Sequence, residues 1–319
     1  QAFLAEKLPS NWNGIGRLQD AELETFVTEW RNTLYEANYL APGWPVEFGG
    51  AGLSATEQVI LAEEFAKAGV PTGGPNDAFS IQMLGNTILV WGTDEQKAHY
   101  LPRLLKGEDT WCQGYSEPDA GSDLGNVGLK AELDGDEWVL NGQKIWTSAG
   151  HLADHIFTLA RTDPDSPKHK GISFLLVLMD QPGIEVRPIK MISGDSEFNE
   201  VFYTDARVPK ENVIGGVNNG WKVANSTLAF ERGQSATTGY RRFAEEYRLL
   251  VEAATDKGVI DDPLIRQRLM EYWTKIQILR INGLRNLSAT LSGGSDMGTI
   301  VLGATNKMFW SEMHQRAME

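Results

Sequence analysis

Gln113-Gly114-Tyr115-Ser116-Glu117-Pro118-Asp119-Ala120-Gly121-Ser122-Asp123 stands where the chain changes from helical to extended patterning. Pro118 and Gly121 force a turn at the end of a strand, and small side chains there let backbone N–H groups approach a ligand closely. Successive N–H groups, with the Ser116 and Ser122 hydroxyls, suit a pyrophosphate or the polar edge of a flavin. Alone, the stretch reads equally as a structural Gly-rich turn. It is not a Rossmann fingerprint, because no G-x-G-x-x-G opens a helix after it.

Some twenty residues on comes Asn141-Gly142-Gln143-Lys144-Ile145-Trp146-Thr147-Ser148. Trp146 and Ser148 sit at alternate positions, which in a regular strand point to one side. A flat ring with a hydroxyl beside it is what a stacked isoalloxazine would need; a barrel Trp and an exposed Ser would look the same in isolation. Around these stretches the pattern is β-type. Residues 126–133 alternate, Asp134-Gly135 offers a tight turn, and short runs follow at Ile156–Ala160, Ile172–Leu178, Ile184–Ile189 and Val201–Thr204. Their spacing predicts a sandwich or small barrel.

Outward in both directions the period is helical. Leu23, Phe26, Val27, Trp30 and Leu34 fall on one helix face. Ser54 with Glu57 and Thr93 with Gln96 are capping boxes, and Gly69 is a stop for the first of those helices. Past Gly220 the sequence predicts long helices from Val223 to about Ala254, from Leu264 to about Leu291 and from Thr299 to Met318, with a polar turn at Asp261, Asp262 and Pro263. Three such helices make part of an antiparallel bundle with one apolar face left uncovered. The fold class is thus α+β multidomain: a helical domain at 1–110, a β-barrel or sandwich domain at 111–215 and a helical bundle at 216–319.

The formal net charge of -14, without a dense Lys/Arg cluster, argues against nucleic acid as a partner. No uninterrupted apolar run reaches the ~18 residues that span a bilayer. The single cysteine, Cys112, suits a reducing compartment, so cytoplasm is the expected location. His151 and His155 sit four apart, but with no third ligand evident they read as a surface pair and no metal is expected.

The order YSEPDAGSD, then NGQKIWTS, resembles the acyl-CoA dehydrogenase family. The resemblance continues in Pro42–Gly50, Phe198–Phe202, Val208–Gly215 and Gly220–Val223, and so spans nearly the whole chain. It implies FAD as cofactor, held at Gln113, Gly114, Tyr115, Ser116, Gly121, Ser122, Trp146, Thr147 and Ser148, with Ser122 also near the CoA arm. The implied reaction removes a proton α to a thioester and passes hydride from the β carbon to flavin, giving the 2,3-enoyl-CoA. A carboxylate in a water-poor pocket suits the proton transfer.

Leu228-Ala229-Phe230-Glu231-Arg232-Gly233 matches one of the family's two base locations. The resemblance therefore points to Glu231 as catalytic base, with Arg232 supporting the site and the substrate. Ala229 stands where relatives often carry a polar residue. The segment Ala254–Asp262 lacks the Arg and Phe with which homotetrameric relatives reach a neighbour's flavin, which implies a two-gene α2β2 assembly and a bulky, steroid-like acyl group. An electron-transferring flavoprotein is the implied electron acceptor. The alternatives are an acyl-CoA oxidase of the same fold and a non-catalytic partner subunit.

Overall fold

A computed structural model describes residues 1–233, 238–292 and 297–319, with all their side chains except those at 20, 231–233, 290, 297–300 and 302–304. The chain forms two compact units. One comprises Gln1–Thr33, Gly52–Thr72 and Arg232–Glu319, the other Leu34–Ala51 and Gly73–Glu231.

The early helices are α1 (Ala2–Lys7), α2 (Asp20–Glu36), α3 (Ala55–Ala68), α4 (Asn86–Trp91) and α5 (Asp94–Lys106). A π-helical stretch, Ala78–Gly85, runs directly into α4. On α2 the expected apolar face is in place, with Trp30 and Leu34 buried. Both capping boxes form. Ser54 N–H donates to Glu57 Oε2 at 2.8 Å, and Thr93 N–H to Gln96 Oε1 at 3.0 Å, each answered by the reciprocal bond. Gly69 stops α3 in the left-handed region at φ 63°, where a Cβ would also lie 2.9 Å from Gly14 Cα.

Eight strands follow: β1 (Trp111–Gly114), β2 (Lys130–Asp134), β3 (Glu137–Ser148), β4 (His155–Arg161), β5 (Ile172–Leu178), β6 (Ile184–Ile189), β7 (Phe198–Pro209) and β8 (Val213–Ile214). They make one mixed sheet in the order β6-β7-β3-β2-β4-β5-β8, with β1 parallel to β4. Its two arms feed one core. Trp138, Leu140, Val201 and Tyr203 come from one side and Ile156, Leu175 and Val177 from the other. Burying residues of this size stabilises by roughly 1.5–3 kcal/mol each.

The later helices are α6 (Gly220–Gly233), α7 (Tyr240–Asp256), α8 (Pro263–Leu291) and α9 (Met297–Met318). Of the single helix expected from Val223 to about Ala254, the described residues give α6 and α7 with a turn at Gly239 before α7, while residues 234–237 lie outside the described residues. Asp262 caps α8, its Oδ1 accepting from Leu264 N–H at 2.8 Å, with Pro263 as the first helical residue. Tyr240, Phe243, Tyr272, Ile276, Leu279 and Met313 make the core of these helices. Met270, Ile278, Ile281, Leu284 and Leu291 on α8 remain exposed.

Gly220 seats α6 on β5. A Cβ there would lie 2.5 Å from the Ser173 carbonyl carbon and 2.7 Å from Phe174 N, which are backbone atoms that cannot swing aside. Gly220→Ala is therefore expected to cost about 1–3 kcal/mol through overpacking, read as a lower urea midpoint. An unchanged midpoint would mean that α6 does not rest on β5 this closely.

Candidate active site

The two stretches singled out in the sequence come together where the chain leaving β1 meets β3. Three bonds tie them. Ile145 N–H donates to the Ser116 carbonyl at 2.9 Å. Lys144 Nζ donates to the Tyr115 carbonyl at 3.1 Å and to Glu117 Oε1 at 2.7 Å. Glu117 is further fixed by the N–H groups of Gly128 and Leu129, at 2.6 and 2.9 Å. Lys144 is fully buried and Glu117 nearly so. Burial pulls the Lys144 ammonium down to about 8, while the Glu117 carboxylate opposes that shift.

Beyond this tie, Glu117 and Ala120 exchange backbone bonds of 3.0 and 3.1 Å around Pro118-Asp119, the turn that the Pro implied. Gly121 and Ser122 are exposed on the outer side of that turn, and a Cβ on Gly121 would meet open space. Gly114 and Tyr115 face inward. A Cβ on Gly114 would lie 2.5 Å from Ile156 Cδ1, and the Tyr115 ring packs edge-on against the stacked Phe157 and Phe174. What these two present to the outer face is backbone.

Trp146 corrects the regular-strand argument. Between Lys144↔Val201 and Thr147↔Asn199, β3 carries one residue more than β7. The extra residue is a bulge, and Trp146 takes it up in the left-handed region at φ 61°. That conformation costs a non-glycine residue on the order of 1–3 kcal/mol. The result is an indole 57% exposed, braced edge-on by Phe198 at 6.0 Å. Thr147, the next residue, is buried and Ser148 half-buried. The indole and Ser148 thus share the more open side, but through the bulge rather than through plain alternation.

A flat, hydrogen-bonding cofactor fits these residues. The Trp146 indole is aromatic and open, and within the two stretches Gln113 Nε2 and Thr147 Oγ1 are buried without a hydrogen-bond partner. Groups left so are costly, and a ligand with polar edges would offset that cost.

Helix α6, as far as Glu231, belongs to the same compact unit as the sheet. Thr227 Oγ1 lies 2.9 Å from Thr87 Oγ1, both fully buried, and Trp91 Nε1 donates to Ser226 Oγ at 3.0 Å. These contacts pin α6 to α4 one turn before position 231. The side chains of Glu231 and Arg232 lie outside the described residues. Leu228 and Phe230 are half-buried and Ala229 exposed, so the apolar flank expected to wall off the base is only partly covered.

The histidines differ from expectation. His151 is exposed, with Nδ1 3.3 Å from Asn199 Nδ2, but His155 is not a surface residue. It stacks on Trp111 at 4.6 Å, and burial lowers its pKa. Among the described residues no group of His, Cys, Asp and Glu could hold a metal ion, and no helix is long and apolar enough to cross a membrane.

Sequence reasoning passed over three residues of this site. Lys144 and Glu117 lay within quoted motifs but carried no assignment, and Asn199 was noted only as part of a resemblance. No signal within the largely polar stretch Asn141–Ser148 marks Lys144 as buried, because its counter-charge Glu117 lies far off in the sequence.

The chain belongs to the acyl-CoA dehydrogenase family. It matches that family's N-terminal domain over residues 1–108, its middle domain over 112–206 and its C-terminal domain over 218–319. Among curated relatives, it is 44% identical to the acyl-CoA dehydrogenase IpdE1 of Mycolicibacterium smegmatis over 316 residues, 96% of this chain and 78% of that one. The solved Tcur3481-Tcur3483 steroid ACAD superposes with a TM-score of 0.82 at 32% identity, covering 99% of this chain and 79% of the other. The ChsE4-ChsE5 complex from Mycobacterium tuberculosis gives 0.77 at 34% identity, over 92% and 76%.

Proposed function

We propose that the chain is an FAD-dependent acyl-CoA dehydrogenase subunit that oxidises a bulky, steroid-like acyl-CoA to its 2,3-enoyl-CoA. The observation that carries this reading is the joining of Ser116 and Tyr115 to Ile145 and Lys144, beside the exposed Trp146. Gln113, Ser116, Gly121, Ser122, Thr147 and Ser148 hold the cofactor through side chain or backbone, with Gly114 and Tyr115 contributing backbone alone. Trp146 stacks against the ring, and Ser122 also meets the CoA arm. When bound, FAD accepts the hydride from the substrate β carbon.

The chain's own chemistry is the proton transfer. Glu231, as carboxylate, takes the proton from the carbon α to the thioester. Arg232 supports the site and the substrate. Two of the structural neighbours carry paired names, and Ala254–Asp262 has neither the Arg nor the Phe of homotetrameric relatives. Together these support an α2β2 assembly in which a second acyl-CoA dehydrogenase-like chain completes the flavin site. An electron-transferring flavoprotein is the electron acceptor in this reading, and the domain boundaries are those at 110/111 and 215/216.

Co-expression with the neighbouring gene, then FAD stoichiometry and a panel of acyl-CoAs, tests the proposal. A yellow complex bleached by a steroid-like acyl-CoA, without peroxide release in air, is the expected result. A colourless protein overturns the cofactor assignment, and rapid peroxide formation makes it an oxidase.

A further inference from the structure

Something must hold the Trp146 bulge in a backbone conformation that tryptophan disfavours. Ala149, three residues on, is also left-handed at φ 52°, so two left-handed residues bracket the last two paired residues of β3. The sheet ladder resumes only at Thr147 and Ser148, opposite Asn199 and Phe198.

Asn199 is the side chain placed to fix this corner. It is fully buried on β7, and its Nδ2 donates to the Thr147 carbonyl at 2.9 Å, immediately after the bulged residue. The same nitrogen lies 3.3 Å from His151 Nδ1 and 3.4 Å from the Glu197 carbonyl. Its Oδ1, by contrast, is buried with no hydrogen-bond partner. A fully buried amide that leaves its acceptor unmet is there for its donor. Gly150 closes the corner, since a Cβ there would come 3.0 Å from Thr147 Cγ2 and 3.3 Å from Asn199 Nδ2.

We infer that Asn199 is a positioning residue for cofactor binding, acting through the Thr147 carbonyl to hold the bulge that presents Trp146 and Ser148. This rests on the reading of the site as an FAD site. Asparagine suits the task because it is short, planar and carries an N–H donor. Aspartate would set an acceptor against the carbonyl, and alanine would remove the side-chain donor.

The test is FAD affinity of the apo-protein, in the assembly in which it is purified, for wild type, Asn199→Ala and Asn199→Asp. Both variants are expected to raise the FAD Kd about tenfold or more, the scale of one orphaned buried group, and to shift the visible circular dichroism of the bound flavin. In a Trp146→Ala background, Asn199→Ala should add a smaller factor than in the wild type, because only Ser148 is then left for the bulge to present. Asn199→Ser, with a shorter donor, serves if the alanine variant does not fold.

A purely structural role would lower thermal stability and leave the Kd and flavin signal of the folded protein unchanged. That outcome, or an undiminished effect without Trp146, overturns the inference while the cofactor assignment stands. Failure of the wild type to bind FAD removes both.

Discussion

Glu231→Gln is expected to keep its flavin and lose about 10²–10⁴ in turnover, the range in which a positioned general base contributes. Glutamine matches glutamate in size and shape but cannot take a proton, so substrate and cofactor binding should change little. Anaerobic mixing with an acyl-CoA isolates the chemical step, since loss of the oxidised flavin band then reports proton and hydride transfer without a downstream acceptor. The expected pattern is a normal spectrum, a near-normal substrate Kd and slow bleaching. Bleaching at the wild-type rate would move the base to another residue or to a partner subunit. Position 231 lies near the C-terminal end of α6. It follows, by one turn, the Thr227–Thr87 and Ser226–Trp91 contacts that fix α6.

How much of this was legible in the sequence depended on whether the cause was local. The capping boxes at Ser54 and Thr93 were readable because each is complete within four residues. Strands β5 and β6 were readable to the residue because Gly171 and Gly183 punctuate runs of uniform pattern. The bulge at Trp146 was not, since no residue type there favours a positive φ and the extra residue exists only relative to β7. Lys144 was missed for a similar reason. Its burial depends on Glu117, twenty-seven residues away, and a strand pattern alone marks a lysine as solvated. The resemblance, not the periodicity, singled out Glu231.

Lys144→Met should be the most destabilising single change in the β domain, at about 3–5 kcal/mol, because it strands a buried carboxylate. Methionine fills most of the lysine's volume, so cavity formation is a minor part of the expected cost. What it removes is the donor to Glu117 Oε1 and to the Tyr115 carbonyl, both in an environment with little water. Glu117 then keeps only the Gly128 and Leu129 N–H groups to offset its charge. Glu117→Gln in the same chain neutralises that charge, so the double variant should lose less than the sum of the singles, by about 1–3 kcal/mol. Urea midpoints of the four proteins give this coupling directly. Because Lys144 also tethers the turn that carries Ser116 and Ser122, FAD uptake should fall in the single variant. It should recover only partly in the double, where the Tyr115 carbonyl still has no donor. Additive losses would mean that Lys144 and Glu117 act on the fold separately, and that the tie between the two halves of the site rests on the Ile145–Ser116 and Lys144–Tyr115 bonds.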